Sequence, residues 1–222
     1  MRYGKLCLWI GLVLSVWAGG GCGKKAGSQM DTGRFEGSVY RNDYLALTVT
    51  LPADWHVQDQ QSVKDSFETG EKVMAGSNDN MRAALQAASS KTFNLVTVFK
   101  YPMGSPVAYN PQFNCVAEGV SHLPGIQTGG DYLFHVRRLL ESGQMKFTFP
   151  REVYIETLSG VEFHVLTAQL ALMPTKIVTN EYIATVRKGY TLLFILSYTT
   201  DEERTELRNI LSTISLAPLA KQ

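Results

Sequence analysis

Cysteine is scarce in this sequence, which has only Cys7, Cys22 and Cys115 among its 222 residues. The three are too few for a four-cysteine zinc site or for the disulfide framework of a small secreted domain. Cys115 stands beside Phe113 and Val116, and a lone cysteine in apolar company is usually a small buried hydrophobic residue. We therefore predict that Cys115 is buried; the alternative in an exported chain is a reactive or intermolecular thiol.

Signatures of catalysis and cofactor binding are also missing. The sequence has no Gly-x-Ser-x-Gly nucleophile elbow, no His-x-x-x-His pair and no phosphate-binding glycine loop. Gly129 and Gly130, which precede Asp131, are better explained as the start of a helix. The sequence therefore predicts no catalytic residue, no cofactor and no metal site, and it favours a protein that is not an enzyme.

The four histidines are separated along the chain: His56, His122, His135 and His164. An isolated histidine is more often a surface or hydrogen-bonded residue than a metal ligand. His164 has the same strand parity as Glu162, so we expect it to belong to a polar ladder on that strand.

Neither sign of charge dominates, since 21 basic and 20 acidic residues give a net charge of +1. A nucleic-acid partner would require a basic face, and the composition favours none. Lys24 and Lys25 form a local pair that fits a solvated tether or contact with anionic lipid.

What the sequence does contain is an export signal. Arg2 and Lys5 precede an apolar run from Leu6 to Trp17. This run is too short to span a bilayer, but it suits the apolar region of a signal peptide. Residues 1–21 are therefore predicted to be a signal peptide.

The residues after this run resemble a bacterial lipoprotein signal, in which a cysteine behind small residues is diacylated and becomes the first residue of the mature chain. Here Ala18 to Gly21 precede Cys22, although Gly19 stands where the motif usually has leucine. The resemblance implies a lipid on Cys22; the alternatives are ordinary cleavage without a lipid and an uncleaved anchor. Gly23 is not the aspartate associated with inner-membrane retention, so in a cell with two membranes we expect the outer membrane, facing the periplasm.

Residues 22–34 have little to bury and predict a flexible tether, followed by one globular domain at 35–217. The most apolar stretch of the domain, residues 190–198, is apolar on both parities and predicts a strand that is covered on both faces. Thr200 and Glu203 have the spacing of a capping box, so a helix follows. That helix has one apolar stripe to pack on the strand: Leu207, Ile210, Leu211 and Ile214.

The remaining periodicities divide the domain into further strands and helices. Strands are predicted at residues 37–40, 44–51, 94–101, 114–120, 152–158, 161–172 and 177–187, and helices at 62–74, 80–89 and 131–142. Strands and helices do not alternate regularly, so the order favours an α+β fold with an antiparallel sheet and helices on its faces.

Several of these segments together resemble the PsbP-like bacterial lipoproteins. The likeness lies in Val39 to Tyr44, Leu51 to Trp55, Gly160 to Phe163, Gly189 to Phe194 and Ile210 to Ile214. It implies an α/β/α sandwich around a central antiparallel sheet, with the C-terminal helix packed on the sheet. The fold is shared by PsbP of photosystem II, a Ran-binding nuclear import factor and the envelope lipoprotein DcrB, most of which bind or assemble proteins. The resemblance provides no catalytic motif.

A proline-containing loop is the candidate contact surface. It places Met103, Val107, Tyr109 and Phe113 between two predicted strands, and apolar groups on a loop often contact a partner. The alternative is that the loop folds its own aromatic residues onto the domain.

Two functions follow from this reading. The first is a lipid-anchored, non-enzymatic envelope protein that binds or helps to assemble another protein. The second is a small-ligand binding module that uses a cleft between sheet and helices. An enzyme with a dispersed site is a third alternative, and it would need polar groups such as Glu162 and His164 to cluster in one pocket.

Overall fold

The computed structural model describes residues 30–217, which form four helices and twelve strands. The predicted signal peptide and Cys22 lie outside the described residues. The helices are α1 (Gln60–Ala75), α2 (Asp79–Ser89), α3 (Gly129–Ser142) and α4 (Asp201–Ser212). The strands are β1 (Arg34–Glu36), β2 (Val39–Asn42), β3 (Leu47–Thr50), β4 (His56–Val57), β5 (Thr92–Phe99), β6 (Gln112–Gly119), β7 (Phe147–Thr148), β8 (Tyr154–Leu158), β9 (Val161–Met173), β10 (Lys176–Arg187), β11 (Tyr190–Tyr198) and β12 (Ser215–Leu216).

The strands form two antiparallel sheets. The larger has the order β4-β5-β6-β11-β10-β9-β7, with β8 also paired to β9, and the smaller has the order β1-β2-β3-β12. β11 lies in the middle of the larger sheet between β6 and β10. Its residues 191–198 are all buried, which confirms the prediction of a strand covered on both faces and of an α+β fold.

The larger sheet is the middle of three layers. One of its faces packs against α4 and the smaller sheet, and the other packs against α1, α2 and α3. Apolar residues alternate in the strand predicted at 44–51, and Leu45, Leu47, Val49 and Leu51 are all buried. Leu47 and Val49 lie in β3, which belongs to the smaller sheet rather than the central one. The predicted sandwich therefore has an outer layer made partly of strands.

Both helices that flank the centre of the sheet begin with a capping box. In α4 the Thr200 hydroxyl accepts a hydrogen bond from the Glu203 amide at 3.3 Å, as predicted. In α3 the same roles belong to Thr128 and Asp131. A Cβ atom on Gly129 would overlap the carbonyl oxygen of Ala184. The glycine therefore lets the start of α3 lie directly on β10, which confirms the reading of Gly129 and Gly130 as a helix start.

The last residues of the predicted tether contact the domain. Met30 is buried, and the carbonyl oxygen of Asp31 accepts a hydrogen bond from Asn42 Nδ2 at 2.6 Å. Tyr40 donates to the Thr32 carbonyl oxygen at 2.8 Å. The sequence suggested a tether because these residues offer few apolar side chains, but backbone acceptors hold them instead. Within residues 30–217 no helix is long and apolar enough to cross a bilayer.

Candidate functional site

The four residues predicted for a contact loop separate into two environments. Met103 and Val107 are exposed, by 48% and 39%. Tyr109 is half-buried, and its hydroxyl is hydrogen-bonded to the Ser197 hydroxyl. Phe113 is not in the loop. It is fully buried in β6 and stacks on Phe194 with 5.9 Å between ring centroids. The prediction placed it in the loop because Pro111 hid the start of the strand.

The loop is held at its base. The side-chain amide of Asn110 donates to the Tyr101 carbonyl oxygen at 2.8 Å and accepts from the Tyr101 amide at 2.9 Å. Together with the Tyr109 contact, these bonds fix both ends of the segment. Tyr101 is partly exposed beside Met103 and Val107, so the loop presents a small apolar surface on a rigid base.

The histidines do not form a site. Across residues 30–217 no group of three His, Cys, Asp or Glu side chains is arranged to hold a metal ion. The ring of His164 lies against the first turn of α3, since a Cβ atom added to Gly130 would meet it. The strand parity that it shares with Glu162 had predicted a polar ladder instead. Cys115 is fully buried, as predicted, and burial raises the pKa of its thiol.

A cleft of about 850 Å³ lies between α1, α2 and the central sheet. Its volume lies in the range typical of small-molecule sites. The cleft is lined by Gln60, Val63, Lys64, Phe67, Glu68, Glu71, Lys72, Arg82, Gln86, Ser89, Thr92, Asn94 and Val116. We call this feature the α1 cleft.

The cleft exists because α1 is attached to the sheet at its two ends. The helix begins at Asp59, whose carboxylate accepts from the Ser62 amide at 2.9 Å. At this end Val63 packs on Phe99. At the other end Met74 and Ala75 join the core beneath α3. Between these contacts the helix stands away from the strands.

Much of α1 beside the cleft is charged. Lys64, Glu68 and Lys72 are exposed and line the cleft at i, i+4 spacing, together with the partly buried Phe67 and Glu71. A helix that packs directly on a sheet buries a continuous apolar stripe, and on α1 only Val63, Met74 and Ala75 are buried.

The sheet side of the cleft is formed by Thr92, Asn94 and Val116. The Asn94 backbone oxygen accepts a hydrogen bond from Gln60 Nε2 at 3.3 Å. The cleft therefore combines apolar and hydrogen-bonding groups on both walls.

Two carboxylates and three cations line the cleft. Arg82 is already engaged, since its guanidinium donates to Asp79 at 2.9 Å and to the Gly76 carbonyl oxygen at 2.7 Å. Glu71 Oε1 is buried and has no hydrogen-bond partner among the described residues. Burial, together with the nearby charge of Glu68, raises the pKa of Glu71.

The lining of the α1 cleft combines apolar side chains with two carboxylates, three cations and several hydrogen-bonding groups. Shape, apolar surface and a few polar groups are the elements of a binding site.

A second polar cluster lies on the opposite face of the sheet. Glu181 in β10 is 1% exposed and accepts hydrogen bonds from Tyr198 at 2.8 Å and Arg204 at 2.6 Å. Its other oxygen is paired with Arg208, which also forms a bidentate ion pair with Glu156 at 2.8 and 2.9 Å. These contacts fix α4 on the sheet, and we call them the Glu181 cluster.

Sequence reasoning identified neither polar group. Most residues of the α1 cleft were assigned only to the two helices predicted at 62–74 and 80–89, and nothing in that assignment indicated a cleft. Glu181 follows Thr179 and Asn180 in the strand predicted at 177–187, and nothing in that local pattern distinguishes it as the centre of a buried ion pair.

Three solved structures align with most of the chain at low sequence identity. Cyanobacterial PsbP from Synechocystis shares 11% identity over 89% of this chain and 98% of its own, with a TM-score of 0.48. The PsbP-like resemblance was predicted from the motifs, and this cyanobacterial protein is one of the structures to which the chain is similar.

The other two are LpqN and PA94. LpqN of Mycobacterium tuberculosis, which is involved in cell envelope biogenesis, shares 12% identity over 78% of this chain and 83% of its own, with a TM-score of 0.43. PA94 of Pseudomonas aeruginosa, a protein of unknown function, shares 13% over 82% and 97%, with a TM-score of 0.40. No family model and no curated protein matches the chain.

Proposed function

We propose that this protein is a non-enzymatic binding module of the cell envelope, anchored by a lipid on Cys22, that holds a small organic ligand in the α1 cleft. The observation that carries the proposal is the cleft itself, which leaves about 850 Å³ between α1, α2 and the sheet. Such a space, lined by apolar side chains and a few polar groups, is the usual form of a ligand site.

Filling the cleft tests this function. Gln86 is exposed on α2 and lines the cleft, so Gln86→Trp places an indole across it without entering the core. We expect the full chain purified from its own membranes to carry a bound small molecule in native mass spectrometry, and the Gln86→Trp variant to lose it. Ala83→Trp is the matched control, because Ala83 is exposed on the same helix but does not line the cleft. Equal occupancy in the two variants would contradict the proposal.

A second candidate function is contact with another protein through the apolar loop. It is favoured by the exposure of Met103 and Val107 on a segment that Asn110 and Tyr109 hold in place. Exposed apolar groups on a fixed loop bind a partner with little loss of conformational entropy.

The double substitution of Met103 and Val107 by serine tests the loop. We expect stability to change by no more than about 0.5 kcal/mol, because both side chains are exposed, while crosslinking to a membrane partner falls. Tyr109→Phe is the converse control: it removes the hydrogen bond to Ser197 and should cost about 1 kcal/mol without affecting capture. Undiminished crosslinking by the double variant would exclude this surface.

A further inference from the structure

An open strand edge runs along one side of the larger sheet. β8 pairs with β9, and no other strand of the described chain pairs with its outer side. With five residues, β8 is longer than any strand at the end of either sheet. Native proteins usually protect such an edge with lysine, proline or a very short strand. The segment 154–158 has no lysine, arginine or proline, and its one charged residue, Glu156, is bound to Arg208.

The turn that follows β8 shows which backbone groups face outward. Ser159 and Gly160 have positive φ angles of 51° and 74°, and they form the two-residue loop of the β8–β9 hairpin. The residues on either side of such a turn, of which Leu158 is the first, are hydrogen-bonded to each other. Hydrogen-bonded and non-hydrogen-bonded pairs alternate along an antiparallel ladder, so Ile155 and Thr157 direct their N–H and C=O groups away from β9. These groups can pair with a further strand.

Two exposed apolar side chains lie beside this edge. Ile155 is 55% exposed and Phe134 is 56% exposed. Ile155 is opposite His164, and directly opposite residues share one face of a sheet. On that face, Gly130 in α3 lies against His164, and Arg137 reaches the segment just before β8. Phe134 is four residues after Gly130 and three before Arg137, so it lies on the same side of α3, toward the edge.

The edge is complementary to a second copy of itself. Two antiparallel β8 strands are related by a two-fold axis, so each copy offers the other the same groups. With the axis at Ile155, this residue lies opposite its own copy, and Tyr154 lies opposite Glu156. The outward groups of Thr157 then meet Val153. In this register no two like charges are directly opposite each other.

Neighbouring registers are less favourable. An axis at Glu156 would place two carboxylates directly opposite each other, and an axis at Tyr154 would place Glu156 opposite Glu152. Like charges at such positions are destabilising. The net charge of the whole chain is only +1, so two copies repel each other little at longer range.

We propose that the open edge of β8 binds the same edge of a second copy of this chain. The two larger sheets then form one continuous sheet across a two-fold axis at Ile155. The apolar side chains Ile155 and Phe134 of both copies lie on the same side of the junction.

Self-association of the full chain is measured by sedimentation velocity over about a hundredfold range of concentration. We expect an equilibrium between monomer and dimer. Ile155→Lys places two cations at the axis and should raise the dissociation constant at least about tenfold.

Ile177→Lys is the matched control. Ile177 is 50% exposed and pairs with Ala171, beyond the part of β9 that pairs with β8. Its substitution should change the dissociation constant by less than about twofold. Both isoleucines are exposed, so both variants should melt like the unchanged protein, which separates lost association from lost folding.

A cysteine at the axis tests the register. Residues in a hydrogen-bonded antiparallel pair have Cα atoms about 5.5 Å apart, a separation that a disulfide can bridge. Ile155→Cys should therefore crosslink to its own copy when membranes containing the protein are oxidised, whereas Ile177→Cys should not. The unchanged protein gives the background from its own cysteines, of which Cys115 is buried.

Three results would overturn the proposal. The first is a chain that stays monomeric at every concentration and gives no Ile155→Cys crosslink. The second is a dimer that Ile155→Lys and Ile177→Lys weaken equally, because another surface would then join the copies. The third is a crosslink from Ile155→Cys to a different protein, which would assign the edge to another chain.

Discussion

Glu181→Ala is expected to destabilise the protein by about 3–5 kcal/mol, because it removes the acceptor that pairs with two arginines and a tyrosine under α4. The Arg208 side chain is 21% exposed, and Glu156 alone would remain to balance it. Leaving a buried cation without its carboxylate costs far more than losing a surface ion pair. Urea unfolding followed by circular dichroism measures the change.

Glu36→Ala is the matched control. Glu36 also faces two arginines, Arg34 at 3.0 Å and Arg41 at 3.6 Å, but its side chain is 51% exposed. Exposed pairs contribute only about 0–1 kcal/mol. Similar losses for Glu36→Ala and Glu181→Ala would show that the Glu181 cluster does not secure the helix.

The same cluster predicts a dependence on pH. Burial alone would raise the pKa of Glu181, but the hydrogen bond from Arg204 and the charge of Arg208 outweigh it, so the pKa lies below its ordinary value of 4.5. The contribution of Glu181 is therefore fully present above about pH 4.5 and is lost as the pH falls through the lower folded-state pKa. The difference in unfolding free energy between the unchanged protein and Glu181→Gln should shrink over that acidic interval. A difference that stays constant from neutral to strongly acidic pH would contradict this assignment.

Cys22→Ser is expected to move the protein from the membrane fraction to the soluble fraction. Each buried methylene of an acyl chain contributes about 0.8 kcal/mol, and stable anchoring takes more than one chain. The diacylated cysteine implied by the lipoprotein resemblance supplies two. Removing the thiol removes the attachment point, so the whole anchoring free energy is lost at once.

Fractionation and intact-mass spectrometry measure this result. The unchanged protein should begin at Cys22 and carry the mass of its acyl chains. Cys115→Ala is the control, since Cys115 is buried in the core and its loss should leave the protein on the membrane. An unchanged protein that begins near residues 18–22 without a lipid and diffuses freely would disprove the anchor.

Local patterns were sufficient for much of the fold. The start of α4 follows from Thr200 and Glu203, because both groups of a capping box lie within one helical turn. The burial of β11 follows from apolar residues on both parities. The alternation of apolar residues over 45–51 predicted their burial correctly. It could not predict that β3 belongs to a second sheet, because alternation shows only that one face of a strand is covered and does not show which element covers it.

Contacts between distant segments escaped prediction. Glu181 meets Arg204 and Arg208, which are 23 and 27 positions further along the chain, and no periodicity connects a strand residue to particular positions on a later helix. Phe113 was assigned to the wrong element for a related reason: the proline before it marks an interruption, but pairing with β11 extends the strand to Gln112.

By itself the sequence determined the order of strands and helices and the apolar strand at the centre, because each depends on residues within a few positions of one another. Only the tertiary structure decided that a cleft lies between α1 and the sheet, and that one oxygen of Glu71 has no hydrogen-bond partner among the described residues. Those features depend on how far apart two surfaces lie once their ends are fixed, and that distance is set by packing across the whole domain.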